Sequence, residues 1–230
     1  MNKTTTLGLI LIFALITGGA WFYTNQQPSV LDTPPEATET QSAAITIIAF
    51  GDSLTAGYGV QLREAYPAQL ERALIERGYD VKVINSGVSG ETTRGNLERA
   101  SFIRAQAPDI VILGIGGNDA LRSLSVENTK QNMFATVDIL LAGEAAPQVL
   151  LLQMQAPLNA GAEYKKNFDS IYEELARTKN LVLVPFLTES IFLKAENKLA
   201  DGIHYNQQGY QSVLDEFILP AVIQVLSEAA

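Results

Sequence analysis

Ile45-Thr46-Ile47-Ile48-Ala49-Phe50-Gly51-Asp52-Ser53-Leu54 sets the reading of the whole chain: a short, largely apolar run passes directly into a polar turn that begins with glycine. Downstream, similar runs recur at Val81–Asn85, Ile110–Leu113, Val149–Gln153 and Leu181–Val184, each separated from the next by an amphipathic stretch. Strands alternating with helices in this way predict βαβ units wound into a parallel sheet. The intervening helices are expected at Tyr66–Arg77, with Pro67 in the first turn and Gly78 at the end, and at Thr92–Ala107, stopped by Pro108. Three more are expected at Ser125–Ala142, Ala162–Thr178 and Gln207–Leu219, the last broken or kinked by Pro220. The expected fold is a three-layer α/β/α sandwich with five parallel strands, flavodoxin-like in outline.

In open parallel sheets the functional crevice lies beyond the carboxyl ends of the strands, where strand order reverses. Three polar segments sit in such places: Gly51-Asp52-Ser53-Leu54, then Ser86-Gly87-Val88-Ser89-Gly90-Glu91-Thr92, then Gly114-Ile115-Gly116-Gly117-Asn118-Asp119. Any one alone is a common glycine turn, suited to close packing or to cradling a phosphate. Together they should face one crevice. A Gly-x-Gly-x-x-Gly fingerprint does not follow the first strand, and the chain has neither a Gly-x-x-x-x-Gly-Lys loop nor a Gly-x-Ser-x-Gly elbow.

Composition narrows the field. The chain has 230 residues, 47% hydrophobic and 18% charged, with a formal net charge of -9. That suits one globular domain and argues against nucleic acid, which requires clustered Lys and Arg. No cysteine is present, so disulfides, thiolate metal sites and a cysteine nucleophile are excluded. There is one histidine, His204, three residues after Asp201. A serine nucleophile needs an adjacent base whose far nitrogen is held by a carboxylate, so in a serine hydrolase only His204 could be that base. The plainer reading makes Asp201 a turn residue and His204 a surface residue before a helix.

The N-terminus reads as an export or anchoring signal. Lys3 precedes the apolar run Leu7 to Ile16, then Thr17-Gly18-Gly19-Ala20 and the aromatic trio Trp21-Phe22-Tyr23. Cleavage after Ala20 would release the protein; retention would leave residues 7–23 as a membrane anchor, a helix of ~25 Å against a ~30 Å hydrocarbon core. Residues 1–23 are thus expected to be signal peptide or signal anchor, residues 24–44 a Pro- and Thr-rich flexible linker, and residues 45–230 the folded domain. The expected location is periplasmic or on the outer face of the cytoplasmic membrane, or secreted where no outer membrane exists.

Taken together, the segments resemble the SGNH (GDSL) hydrolase family across residues 45–230. Phe50-Gly51-Asp52-Ser53-Leu54-Thr55-Ala56-Gly57-Tyr58 matches the family's nucleophile block, Ser89-Gly90-Glu91-Thr92 its glycine block, Gly116-Gly117-Asn118-Asp119 its asparagine block and Asp201-Gly202-Ile203-His204 its histidine block. The resemblance implies Ser53 as nucleophile, His204 as base and Asp201 as its orienting carboxylate. It also implies an oxyanion hole made by the Ser53 and Gly90 backbone N–H groups and the Asn118 amide. Tyr66-Pro67, Val149-Leu150-Leu151-Leu152-Gln153-Met154 and Val184-Pro185-Phe186 further resemble the bacterial periplasmic branch of thioesterase I, lysophospholipase and arylesterase. One departure is visible: Tyr205 stands where that branch usually has a stiffening proline, with Asn206 as a candidate N-cap for the last helix.

The implied activity is hydrolysis of a carboxylic ester or thioester through an acyl-enzyme, with no cofactor and no metal. The substrate is expected to be a small molecule or lipid, and the protein a monomer. Asp52 should hydrogen-bond its own loop and Asp119 should cap the turn after Asn118. Leu121 and Leu158, on loops after the third and fourth strands, are candidates for an acyl groove, and Arg122 for an anionic head group; the leucines could equally pack under their loops. A carbohydrate O-acetylesterase and a non-enzymatic envelope protein are the competing classes, and the intact Ser53, Asp201 and His204 weigh against the second.

Overall fold

The computed structural model describes residues 44–228. The expected signal segment and nearly all of the expected linker lie outside the described residues. Five strands form: β1 (Ile45–Gly51), β2 (Val81–Gly87), β3 (Ile110–Gly114), β4 (Gln148–Gln153) and β5 (Val182–Pro185). Every neighbouring pair is parallel, in the order β2-β1-β3-β4-β5. This is the flavodoxin-like order, with its reversal between β1 and β3.

The helices among the described residues are α1 (Ser53–Ala56), α2 (Tyr66–Ile75), α3 (Thr93–Ala105), α4 (Gly117–Leu121), α5 (Val126–Leu140), α6 (Ala162–Lys179), α7 (Glu189–Phe192), α8 (Gln207–Val213) and α9 (Leu219–Glu228). Consecutive residues of the central strands are buried whichever way they point, as in Ile47-Ile48-Ala49-Phe50, Val111-Ile112-Leu113 and Leu150-Leu151-Leu152. Both faces must therefore be covered. α3, α5 and α6 form one layer; α2, α8 and α9 form the other.

The C-terminal helix differs from expectation at Pro220. Helical geometry does not stop there: α8 passes through a π-helical turn, Leu214–Ile218, into α9, whose second residue is Pro220. A proline inside a helical run removes one donor from the ladder and crowds the preceding turn. The wider turn just before it absorbs the register change.

What positions the site is a row of glycines. β1, β2 and β3 all end on glycine, with Gly51 paired to Gly87 on one side and to Gly114 on the other. A Cβ on Gly87 would lie 2.2 Å from the Ala56 nitrogen, and one on Gly51 would lie 2.3 Å from Thr55 Oγ1 and 2.4 Å from the Gly114 oxygen. Helix α1 therefore rests directly on the sheet end, closer than any side chain would permit.

Gly87→Ala should accordingly be far more damaging than Gly78→Ala. Gly78 ends α2 with φ of 86° and open space around it, so alanine there costs only left-handed strain of about 1 kcal/mol. At Gly87 the clash is with helix backbone, which no rotamer relieves, and should cost roughly 3 kcal/mol. Urea unfolding of the two variants measures the difference, and equal midpoints would contradict the packing described.

Candidate active site

Ser53 is the first residue of α1 and so inherits its place from the glycine row. Asp52 caps the helix, its Oδ1 accepting from the Leu54 N–H at 3.0 Å. This is the loop-bonding role expected for it. As the first helical residue, Ser53 has a backbone N–H with no intrahelical acceptor. The far end of α1 is fixed by Gly57 in the left-handed region, φ 80°, and by the buried Tyr210 hydroxyl donating to the Leu54 carbonyl at 2.9 Å.

The sole histidine arrives from the other end of the chain. His204 Nε2 lies 2.8 Å from Ser53 Oγ, across 151 residues of sequence, and its Nδ1 lies 2.7 Å from Asp201 Oδ2. The other oxygen, Oδ1, accepts from the Ile203 and His204 backbone N–H groups at 2.9 and 3.0 Å, so the carboxylate cannot turn away. Desolvation works against the Asp201 charge, but the hydrogen bonds from the His204 ring and from these two N–H groups outweigh it and lower its pKa to about 2. An ionised carboxylate only accepts; Nδ1 must then donate, leaving Nε2 to accept from the serine hydroxyl.

Tyr205 accounts for the histidine loop's rigidity without proline. Its side chain is fully buried, its hydroxyl donates to the Phe186 carbonyl at 2.6 Å, and its ring meets Phe186, Phe192 and Tyr210 edge-on. Asn206 caps α8 as expected, accepting from Gly209 N–H at 3.0 Å. Sequence reasoning missed Tyr58, whose ring lies 4.6 Å from that of His204. It was visible in the first block, but an exposed tyrosine after a turn carries no distinguishing signal.

Asn118 is the second residue of α4, half-buried, with Nδ2 donating to Asp52 Oδ2 at 3.4 Å. Gly90 sits on an exposed turn with φ of 80°. Asp119 acts differently from expectation. Its buried carboxylate reaches across to α3, accepting from Thr93 N–H at 2.8 Å and Thr93 Oγ1 at 2.7 Å. Thr92, the residue at the α3 N-cap, makes no side-chain capping bond, so Asp119 satisfies that helix end from a distant turn. Among the described residues, His, Asp and Glu side chains form no group of three able to hold a metal ion.

A cavity of about 390 Å³ opens beside Ser53 and Asn118. Leu121 and Leu158 line it as anticipated, together with Pro157, Leu187, Phe192 and Ile203. Arg122 does not line it; its Nη2 donates instead to the Gly90 carbonyl at 2.9 Å. The wall from Leu187 and Phe192 was not anticipated, although both follow β5 at the same end of the sheet.

Asp52 is almost wholly buried, and desolvation raises its pKa from 3.8 to about 6 despite the opposing pull of the Leu54 N–H, the His204 charge and the Asn118 amide. Between pH ~4 and ~6 the folded protein therefore retains a proton that the unfolded chain has released, and stability falls as pH rises through that window, by roughly 3 kcal/mol at most. Asp201, with its lowered pKa, acts in the opposite sense at more acidic pH, where its stabilising contribution is lost as pH falls toward 2. Asp52→Asn retains the cap acceptor and abolishes the first effect. The stability difference between variant and wild type, measured by urea unfolding, should grow from pH 4 to 6 and then level off.

Several known proteins are similar to this chain. Residues 49–212 match the model of the GDSL-like lipase/acylhydrolase family. The chain is 32% identical to an arylesterase of Vibrio mimicus over 80% of its own length and 91% of that protein's, and 33% identical to thioesterase 1/protease 1/lysophospholipase L1 of Escherichia coli K12 over 76% and 82%. Its fold superposes with a TM-score of 0.73 on the psychrotrophic esterase EstA of Pseudoalteromonas sp., solved in a form inhibited by monoethylphosphonate, at 30% identity over 79% of this chain and 98% of that one. With the serine, glycine, asparagine and histidine blocks gathered at one sheet end, the chain belongs to the GDSL-like lipase/acylhydrolase family, the SGNH hydrolases.

Proposed function

We propose that this protein is a serine hydrolase of carboxylic esters or thioesters, acting through Ser53, His204 and Asp201. The observation that carries the proposal is the continuous path from Ser53 Oγ to His204 Nε2 at 2.8 Å and from His204 Nδ1 to Asp201 at 2.7 Å. As the Ser53 oxygen attacks a carbonyl carbon, its proton passes to Nε2 and the imidazolium is held by Asp201. The carbonyl π electrons become the oxyanion, stabilised by the Ser53 and Gly90 N–H groups and the Asn118 amide. Collapse expels the alcohol or thiol, which takes the proton from His204. Water then repeats the sequence on the acyl-enzyme, restoring Ser53.

The substrate reading follows from the cavity. Its walls are apolar in larger part, through Leu121, Pro157, Leu158, Leu187, Phe192 and Ile203, with Gln155, Asn159, Thr188 and Glu189 among the polar lining residues, and this balance favours an acyl chain over an acetylated sugar. Lysophospholipids, acyl thioesters and aryl esters all fit this description. The names of the relatives support the same classes, and the apolar run behind Lys3 supports an exported enzyme, periplasmic or anchored outside the cytoplasmic membrane.

Ser53→Ala should abolish both ester hydrolysis and labelling by a fluorophosphonate probe, and His204→Ala should lower kcat by about 10⁴-fold or more, since no second histidine can take over. Labelling that survives Ser53→Ala would remove Ser53 as the nucleophile. For the groove, Leu121→Ser with Leu158→Ser should shift the preference of p-nitrophenyl esters toward short acyl chains, lowering kcat/KM for long chains by roughly 10-fold or more per lost apolar contact. An unchanged chain-length profile would show that these leucines do not hold the acyl group.

A further inference from the structure

We propose that Arg122 is a positioning residue that sets the distance between the Gly90 turn and the Asn118 turn, and so holds two oxyanion donors in register. The inference rests on the oxyanion roles proposed above.

Gly90 and Asn118 lie on different loops, after β2 and after β3, and their spacing is not set by either loop alone. The base of the Gly90 turn is secured on both sides. Val88 N–H donates to the Gly51 carbonyl at 3.0 Å, and the Glu91 carboxylate is gripped by Arg99 at 2.8 and 2.6 Å and by Asn96 at 2.5 Å. The tip, Ser89-Gly90, is exposed, and Gly90 occupies a left-handed conformation that adds freedom rather than restraint.

Arg122 reaches this tip from the other loop. Its guanidinium Nη2 donates to the Gly90 carbonyl at 2.9 Å, a charge-assisted hydrogen bond, while its own backbone N–H donates to the Asn118 carbonyl at 3.2 Å. The backbone bond closes α4 on Asn118 as any residue here would, and the side chain then ties the Gly90 turn to that helix. The neighbouring Asp119 fastens the same helix to Thr93, on the chain just beyond Glu91, so α4 and the Gly90 turn are joined at two points. The guanidinium is exposed and outside the cavity wall, so it can contribute to catalysis through Gly90 without touching the substrate.

The test compares Arg122→Ala, Arg122→Lys and Ser53→Ala in the full-length protein, using neutral p-nitrophenyl butyrate and anionic acyl-coenzyme A as substrates. Loss of one oxyanion donor costs about 10²–10³-fold in turnover, so partial misplacement in Arg122→Ala should lower kcat by about 10-fold or more on both substrates. KM should stay within about two-fold and the melting temperature should not move, while Arg122→Lys, which restores one donor, should recover part of kcat. If kcat for the neutral ester is unchanged in Arg122→Ala, the positioning role is wrong. If only the KM for acyl-coenzyme A rises, Arg122 is a head-group contact and the inference is again overturned. A Ser53→Ala protein that still hydrolyses both substrates would bring down the proposed mechanism itself; loss of activity in Ser53→Ala with unchanged kcat in Arg122→Ala would bring down the Arg122 inference alone.

Discussion

The constraint on which everything else rests is the absence of side chains at three paired positions. Gly87, Gly51 and Gly114 lie side by side at the carboxyl ends of β2, β1 and β3. The space where a Cβ would be is taken by α1 backbone at Gly87, as close as 2.2 Å, by the Thr55 hydroxyl and the Gly114 carbonyl at Gly51, and more loosely by the Leu152, Thr55 and Met154 side chains at Gly114. Ser53 is thereby held at the start of a helix pressed against the sheet end rather than on a free loop, and sites on helices and strands are placed more precisely than sites on loops. The same three strand ends lead into the loops that carry Gly90 and Asn118, so one packing requirement sets the place of the serine and the origin of both neighbouring turns.

The other half of the site depends on a different kind of restraint. His204 is carried by a loop between α7 and α8, and a proline after it would restrict that loop through the backbone alone. Here Tyr205 achieves the restriction by burial. Three edge-on aromatic pairs are worth roughly 0.5–1.5 kcal/mol each beyond their buried area, and the hydroxyl bond to Phe186 anchors the ring at its far end. The backbone is tied as well, through the bridge between Lys198 and Tyr205 and the Leu199 N–H donating to the His204 carbonyl at 2.9 Å. The two solutions differ in range: proline acts locally, whereas Tyr205 couples the histidine loop to β5 and α8.

This difference in range also explains what could be read in the sequence. The five strands, the three glycine-bearing strand ends and the Asp201–His204 pair are local patterns, and each was found within a residue or two of its structural bounds. The misread features are long-range. Asp119 looks like a residue for its own turn, yet its carboxylate is used by Thr93, 26 positions upstream. Arg122 looks like a free cation beside a crevice, and its partner is a carbonyl 32 positions away. Leu187 and Phe192 wall the cavity only because β5 lies at the edge of the sheet and its exit loop folds back, which no local periodicity encodes. Of the two outcomes expected at Pro220, a break or a kink, the break does not occur: packing on β4 and α2 carries the helix onward through a π turn.

Asp52 is the point where stability and chemistry pull in different directions. Its cap could be supplied by an uncharged acceptor, yet the carboxyl stays buried beside Asn118 at a desolvation cost that lifts its pKa to about 6. When ionised, it would add attraction, in the proposed reaction, for an imidazolium at His204, a charge otherwise held by Asp201. It also restrains the Asn118 amide, because the carboxylate accepts one of the two Nδ2 hydrogens and leaves the other for the proposed oxyanion. The same negative charge would oppose an oxyanion forming near Asn118 in the proposed reaction. With its pKa near 6, Asp52 keeps its charge at neutral pH with little free energy to spare. The hydrogen bonds from Leu54 and Asn118, rather than solvent, are what sustain it.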